Sequence, residues 1–196
     1  MPAPPSSDDA PPEASSLTTA AHLDDAAAAQ LRDAQLDQLQ YLVDEVEALK
    51  AVIGKVPEAL QRDKPMGTEL SLRELYGVLA QADEDTHVPL VQEMMATDTP
   101  AATPRSDEAR AAEADWNDTP MPTILEQVQR ARTTLVDTLQ ALPAADWTRT
   151  VTLGDTTRDV YGLAHAIIQR DANLLRTAGY RLHESHLTDR DEDLPK

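Results

Sequence analysis

Cysteine and phenylalanine are absent from the 196 residues, glycine occurs six times, and the only lysines are Lys50, Lys55, Lys64 and Lys196. Each scarcity excludes something. Without cysteine there is no disulfide, no thiolate-held metal and no cysteine nucleophile. Scattered glycines leave no Gly-rich phosphate loop and no G-x-S-x-G elbow. No apolar run approaches the roughly 18 residues of a membrane-crossing helix. The first thirty residues lack the basic start and apolar stretch of a secretory signal, so the expected location is cytoplasmic. Bases are also few: 17 against 35 acids, a net charge of −18. Such a surface repels phosphate backbones, so nucleic acid is not an expected partner, nor is a membrane. The acids are spread along the chain, which reads as solubility, as in a cell of high internal salt. A DNA-mimicking protein would need them clustered on one face.

What is present is helical patterning. Residues 1–30 are Pro, Ala, Ser and Asp and read as a disordered tail that turns helical near residues 23–29. Leu39, Leu42, Val46, Leu49 and Ile53 step by three and four, the seam of a packed bundle helix. Gly54 and Pro57 end it. Ser71 with Glu74 forms a capping box for a second helix, buried through Leu75, Val78, Leu79 and Ala82, with Pro89 expected to kink it. Residues 97–120 are polar and too long for a tight connection, so a crossover loop pinned by Trp116 is expected. Asn117-Asp118-Thr119 matches a glycosylation sequon by chance. Thr123 with Glu126 caps a third helix carrying Leu125, Val128, Ala131, Leu135 and Leu142, with Arg130 and Arg132 outside that face. Thr156 with Asp159 reads as the cap of a fourth helix, buried through Val160, Leu163, Ala164, Ile167, Leu174 and Leu175. Residues 187–196 read as a charged tail. No segment reads as a strand; residues 150–153 are too short to matter. The expected fold is all-α: an antiparallel four-helix bundle with a long crossover between helices two and three.

Residues 72–77, LRELYG, are echoed 85 residues later by 157–162, TRDVYG. This suggests duplicated helix pairs related by a pseudo-two-fold axis, with Tyr76 matching Tyr161 and Gly77 matching Gly162.

The Leu-rich first helix, the SLRELYGVLA start of helix two at 71–80 and Asp115-Trp116 before helix three carry a resemblance. So do helix three itself, the ADW at 145–147 and helix four. Together, over residues 31–186, the chain resembles the DinB/YfiT-like superfamily of bacterial four-helix proteins, as a divergent member. The resemblance implies a four-helix bundle, a homodimer, a stress or damage response, and a divalent metal such as zinc or nickel held by three histidines. One such histidine sits early in helix two, and two sit on helix four at i, i+4. That spacing places two imidazoles on one helical face, where a third from a facing helix completes a ligand set with open positions. In this sequence the helix-two position falls on Val78. The helix-four pair falls on Gln169 and Asn173, or in the other register on Arg170 and Leu174. None is a histidine, so no cofactor is expected.

Glu74, Val78, Asp85, His165, Gln169 and Asn173 make up a candidate pocket. A His165/Asp85/Glu74 metal site is the alternative to metal loss, and His165 otherwise reads as partly buried and hydrogen-bonded. His87 falls on the far side of a straight helix; His22, His183 and His186 read as solvated. Asp83 and Asp85, like Asp44 and Glu45, read as facing water, and Arg73 and Arg158 as pairing with nearby acids. Three functions follow: a metal-free, non-catalytic bundle acting by binding; a divergent bacillithiol- or mycothiol-type transferase using His165, Gln169 and Asn173; and a small-ligand carrier.

Overall fold

A computed structural model describes residues 23–64, 69–97 and 100–192, with side chains through residue 183. The expectations for residues 1–22 and for His186 lie outside the described residues. The first long helix, α1 (Asp25–Ile53), begins inside the stretch 23–29 where the tail was expected to turn helical; Asp24 accepts the Ala27 N–H and caps it. A short α2 (Glu58–Arg62) follows. Next come α3 (Leu72–Ala82), a π-helical turn (Asp83–His87) and α4 (Val88–Ala96) in one continuous run. The connector 97–120 carries β1 (Ala101–Ala102) and α5 (Asp107–Glu113). Beyond it lie α6 (Met121–Gln140), a 3-10 turn (Ala144–Thr148), β2 (Thr150–Leu153), β3 (Thr156–Asp159) and α7 (Val160–Glu192). None of the described helices is long and apolar enough to cross a membrane.

The core divides into two clusters along the bundle. One joins the first half of α1 (Leu36, Leu39) to α4, the second half of α6, Trp147 and the start of α7. The other joins the second half of α1 to α3, the first half of α6 and the later turns of α7. Helix directions follow from this division. The α1 and α7 helices run one way; α3–α4 and α6 run the other. The connector 97–120 therefore travels back along the bundle between two parallel segments.

Every residue from Ser71 to Ala80 is buried, not only one stripe. The connector covers the outer side of α3: Trp116 packs onto Gly77, and Asn117 reaches the helix start. The expected capping box is present, with Ser71 Oγ accepting from Glu74 N–H and Glu74 returning to Ser71 N–H. Arg73, also buried, donates to Gln61 Oε1 at 3.0 Å and to the Asn117 carbonyl at 2.9 Å. Asn117 Nδ2, the nitrogen a sequon would offer, donates to Glu74 at 3.1 Å.

Four expectations are corrected. Residues 150–159 form a hairpin, β2 antiparallel to β3, with β1 parallel on the far side of β2. Alternating Thr and Val favour this pleat, and Gly154 supplies the turn at φ +62°, where L-residues are strained. Thr156 and Asp159 are therefore not a capping box; Asp159 alone accepts the Gly162 N–H at 2.7 Å and starts α7. The echo of 72–77 in 157–162 is not matched throughout in local structure: the first copy is all helix, the second is strand to Asp159 and helix from Val160, though each puts a buried Tyr and Gly near a helix start. Finally, α7 extends through the residues expected to begin the C-terminal tail; the interruption of helix two expected near Pro89 is present, as the π-turn that precedes it, with α4 running on to Ala96.

Candidate functional site

The junction between the two core clusters is polar. The π-turn places Asp83 and His87 inward, and His87 Nδ1 lies 2.8 Å from Asp83 Oδ1. The turn is closed by Val88 N–H donating to the Asp83 carbonyl five residues back. This extra residue per turn rotates His87 onto the buried side, overturning its placement on the far face of a straight helix. Arg132 of α6 lies between two carboxylates, with Nε 2.7 Å from Asp83 and Nη1 2.6 Å from Asp171 of α7. Arg132 and Asp83 are each 1% exposed and Asp171 is 5% exposed. The expectations that Arg132 lies outside the packed face and that Asp83 meets water are both wrong.

The two carboxylates shift in opposite directions. Burial works against ionisation of Asp83, but the Arg132 charge and the His87 hydrogen bond outweigh it, and the carboxyl titrates below its ordinary range. Burial raises Asp171, and Arg132 offsets only part of that. The difference lies in contacts: Asp83 holds Arg132 and His87 together, whereas Asp171 Oδ1 has no hydrogen bond and only Arg170 Nη1 at 3.6 Å.

The residues expected to form a pocket do not converge. Glu74 is spent on Ser71, Asn117 and Lys64. Asp85, read as facing water, pairs with Arg105 and Arg110 of the connector. His165, Gln169 and Asn173 are exposed along one outer stripe of α7, so the expectation that His165 is partly buried is corrected. Val78 is fully buried. Arg170 faces it instead, with Nη2 donating to the Val78 carbonyl at 3.0 Å and pairing with Asp107 of α5. On α7 it is therefore Arg170 and Leu174, not Gln169 and Asn173, that face α3. Leu174 borders a shallow polar depression of about 310 Å³ that also holds Arg181, Glu69 and Glu108. Among the described residues, no three His, Asp or Glu side chains come close enough to hold a metal ion.

No family model matches the sequence, and no curated protein matches it. The fold, however, is similar to YfiT from Bacillus subtilis, described as a probable metal-dependent hydrolase with an unusual four-helix bundle topology. The TM-score is 0.60 at 15% identity, over 81% of this chain and 91% of that one. The chain has the DinB-like four-helix bundle fold. At the positions where the sequence resemblance leads one to expect histidines, the side chains that meet between α3 and α7, those of Val78, Arg170 and Leu174, are an isopropyl group, a guanidinium and an isobutyl group. None of the three offers a lone pair to a cation, and the guanidinium repels one. The residues present do not fit a metal there.

Missed by sequence reading were Arg132, Asp171 and Arg170. A signal existed for Arg132: it lies four residues after Val128 and three before Leu135, within the apolar stripe of α6. No local signal marks Arg170, whose partners come from α3 and the connector.

Proposed function

We propose that this chain is a metal-free, non-catalytic member of the DinB/YfiT-like group that acts by binding, in the cytoplasm and in a stress or damage response. The observation that carries this reading is the Arg170 guanidinium against the Val78 carbonyl, held by Asp107. A fixed positive charge there takes the place of a bound one and ties α7 to α3 and α5. The candidate thiol-transferase pocket gains no support from His165, Gln169 and Asn173, which face outward. YfiT's description as a hydrolase belongs to YfiT and requires of this chain a ligand set it does not have.

Metal analysis tests this. Untagged protein expressed with supplemental zinc and nickel, then gel-filtered, should carry far less than one equivalent of either. A stoichiometric, dialysis-resistant metal overturns the reading. The homodimer implied by the resemblance belongs to the same proposal. Light scattering is expected to give twice the 21.4 kDa chain mass; a monomer mass at every concentration removes that part.

A further inference from the structure

On a different flank of the bundle, a groove of about 290 Å³ runs between α1 and α7. Leu42, Ile168, Leu175 and the exposed ring of Tyr41 supply its walls, so most of its surface is apolar. Two carboxylates interrupt that surface, the buried Asp171 and the half-buried Glu45. Neither is fully satisfied. Glu45 has no hydrogen-bond or ion-pair partner among the described residues. Asp171 gives Oδ2 to Arg132, while its Oδ1 accepts no hydrogen bond and has only the Arg170 guanidinium, itself shared with Asp107, at 3.6 Å.

An apolar crevice with under-compensated negative charge has a definite chemical preference. A neutral apolar guest would bury the carboxylates further without a counter-charge, which is costly. An anion would add repulsion. A cation with an apolar body relieves both groups and fills the walls, and the Tyr41 face adds attraction for an ammonium.

We infer that the groove between α1 and α7 binds a small organic cation, an alkyl- or arylammonium, with its charged head at Glu45 and Asp171 and its body along Leu42, Ile168 and Leu175. Desolvation raises both carboxyls above their ordinary range, in line with charge that lacks compensation. The inference rests on this groove alone and not on the metal-free reading; metal content and amine binding can fail separately.

The test is calorimetric titration of the full chain with n-hexylammonium, n-hexanol and n-hexanoate at moderate salt. Saturable one-to-one binding of hexylammonium is expected, with hexanol weaker by at least about tenfold and hexanoate without binding. Glu45→Gln should weaken hexylammonium by about tenfold, and Ala172→Phe, placed on the exposed wall, should block it. Both positions reach solvent, and an unchanged thermal midpoint verifies each fold. Three results overturn the inference. Hexanol binding as tightly as hexylammonium would mean a merely greasy crevice. Hexylammonium binding unaffected by either substitution would mean diffuse attraction to a surface of charge −18. Affinity that falls as protein concentration rises would mean that a second copy covers the groove.

Discussion

Replacing Arg132 with methionine is expected to cost about 3–5 kcal/mol of stability at neutral pH, and the loss should shrink on acidification. Removing the guanidinium leaves Asp83 and Asp171 buried between two core clusters with no strong counter-charge. The pH dependence follows from the direction of each shift. In the native protein, Asp83 titrates below its ordinary value, so its contribution is full above that value and is lost as pH falls through the lowered one. Asp171 titrates above its ordinary value; its favourable contribution exists below the unfolded value and is lost as pH rises through the folded one. Without Arg132, both carboxyls shift upward. The variant is then penalised at neutral pH and relieved as protons bind, while the native protein keeps the Asp83 contribution, which fades only below the ordinary carboxyl range. Urea unfolding of both proteins at pH 7 and at about pH 4.5 should give a difference that narrows with acid. A difference independent of pH would mean that the charges are not what the substitution disturbs. Replacing Arg132, Asp83 and Asp171 together with apolar residues of matching volume should recover most of the loss, since no charge remains unpaired.

Gly77→Ala should cost about 1–3 kcal/mol, a large penalty for one methyl group. An added Cβ would lie 2.2 Å from Trp116 Cδ2 and 2.6 Å from two further ring atoms, where no side chain fits. The indole is not a free end that can swing aside, because it packs on the Leu72–Ala80 cluster and its neighbour Asn117 is bonded to Ser71, Arg73 and Glu74. Relief requires the connector to lift from α3. Thermal unfolding measures the cost, and tryptophan fluorescence should shift to the red as Trp116 meets water. Trp116→Ala is expected to remove most of the Gly77→Ala penalty in a double-mutant cycle. Additive effects would show that the glycine is needed for something other than this contact.

Both expectations concern places where a residue's role is set from outside its own helix. Arg132 sits in the apolar stripe of α6, and a local reading assigns a charged residue there to the edge of that stripe. What holds it inward is a carboxylate from the π-turn and another from α7, 49 residues earlier and 39 later in the chain. The π-turn is itself illegible locally: Pro89 announces an interruption, but only the packed structure shows that it takes the form of one wide turn at Asp83–His87. The hairpin at 150–159 was missed for a related reason. Four-residue strands give little alternation to read, and their pairing with Ala101–Ala102 depends on where the connector passes.

The sequence by itself determined the mainly helical class, the positions of the four long helical segments and the caps at Ser71 and Gly54. These depend on apolar spacing and on side chains within four residues, and both act within a single segment. The lack of histidines at the expected ligand positions was likewise visible from residue identity alone. Only the tertiary structure decided which register of α7 faces α3, what fills the space beside Val78, and which acids are buried. A charge can leave water only when partners from several segments arrive together, and no single stretch of chain contains that information.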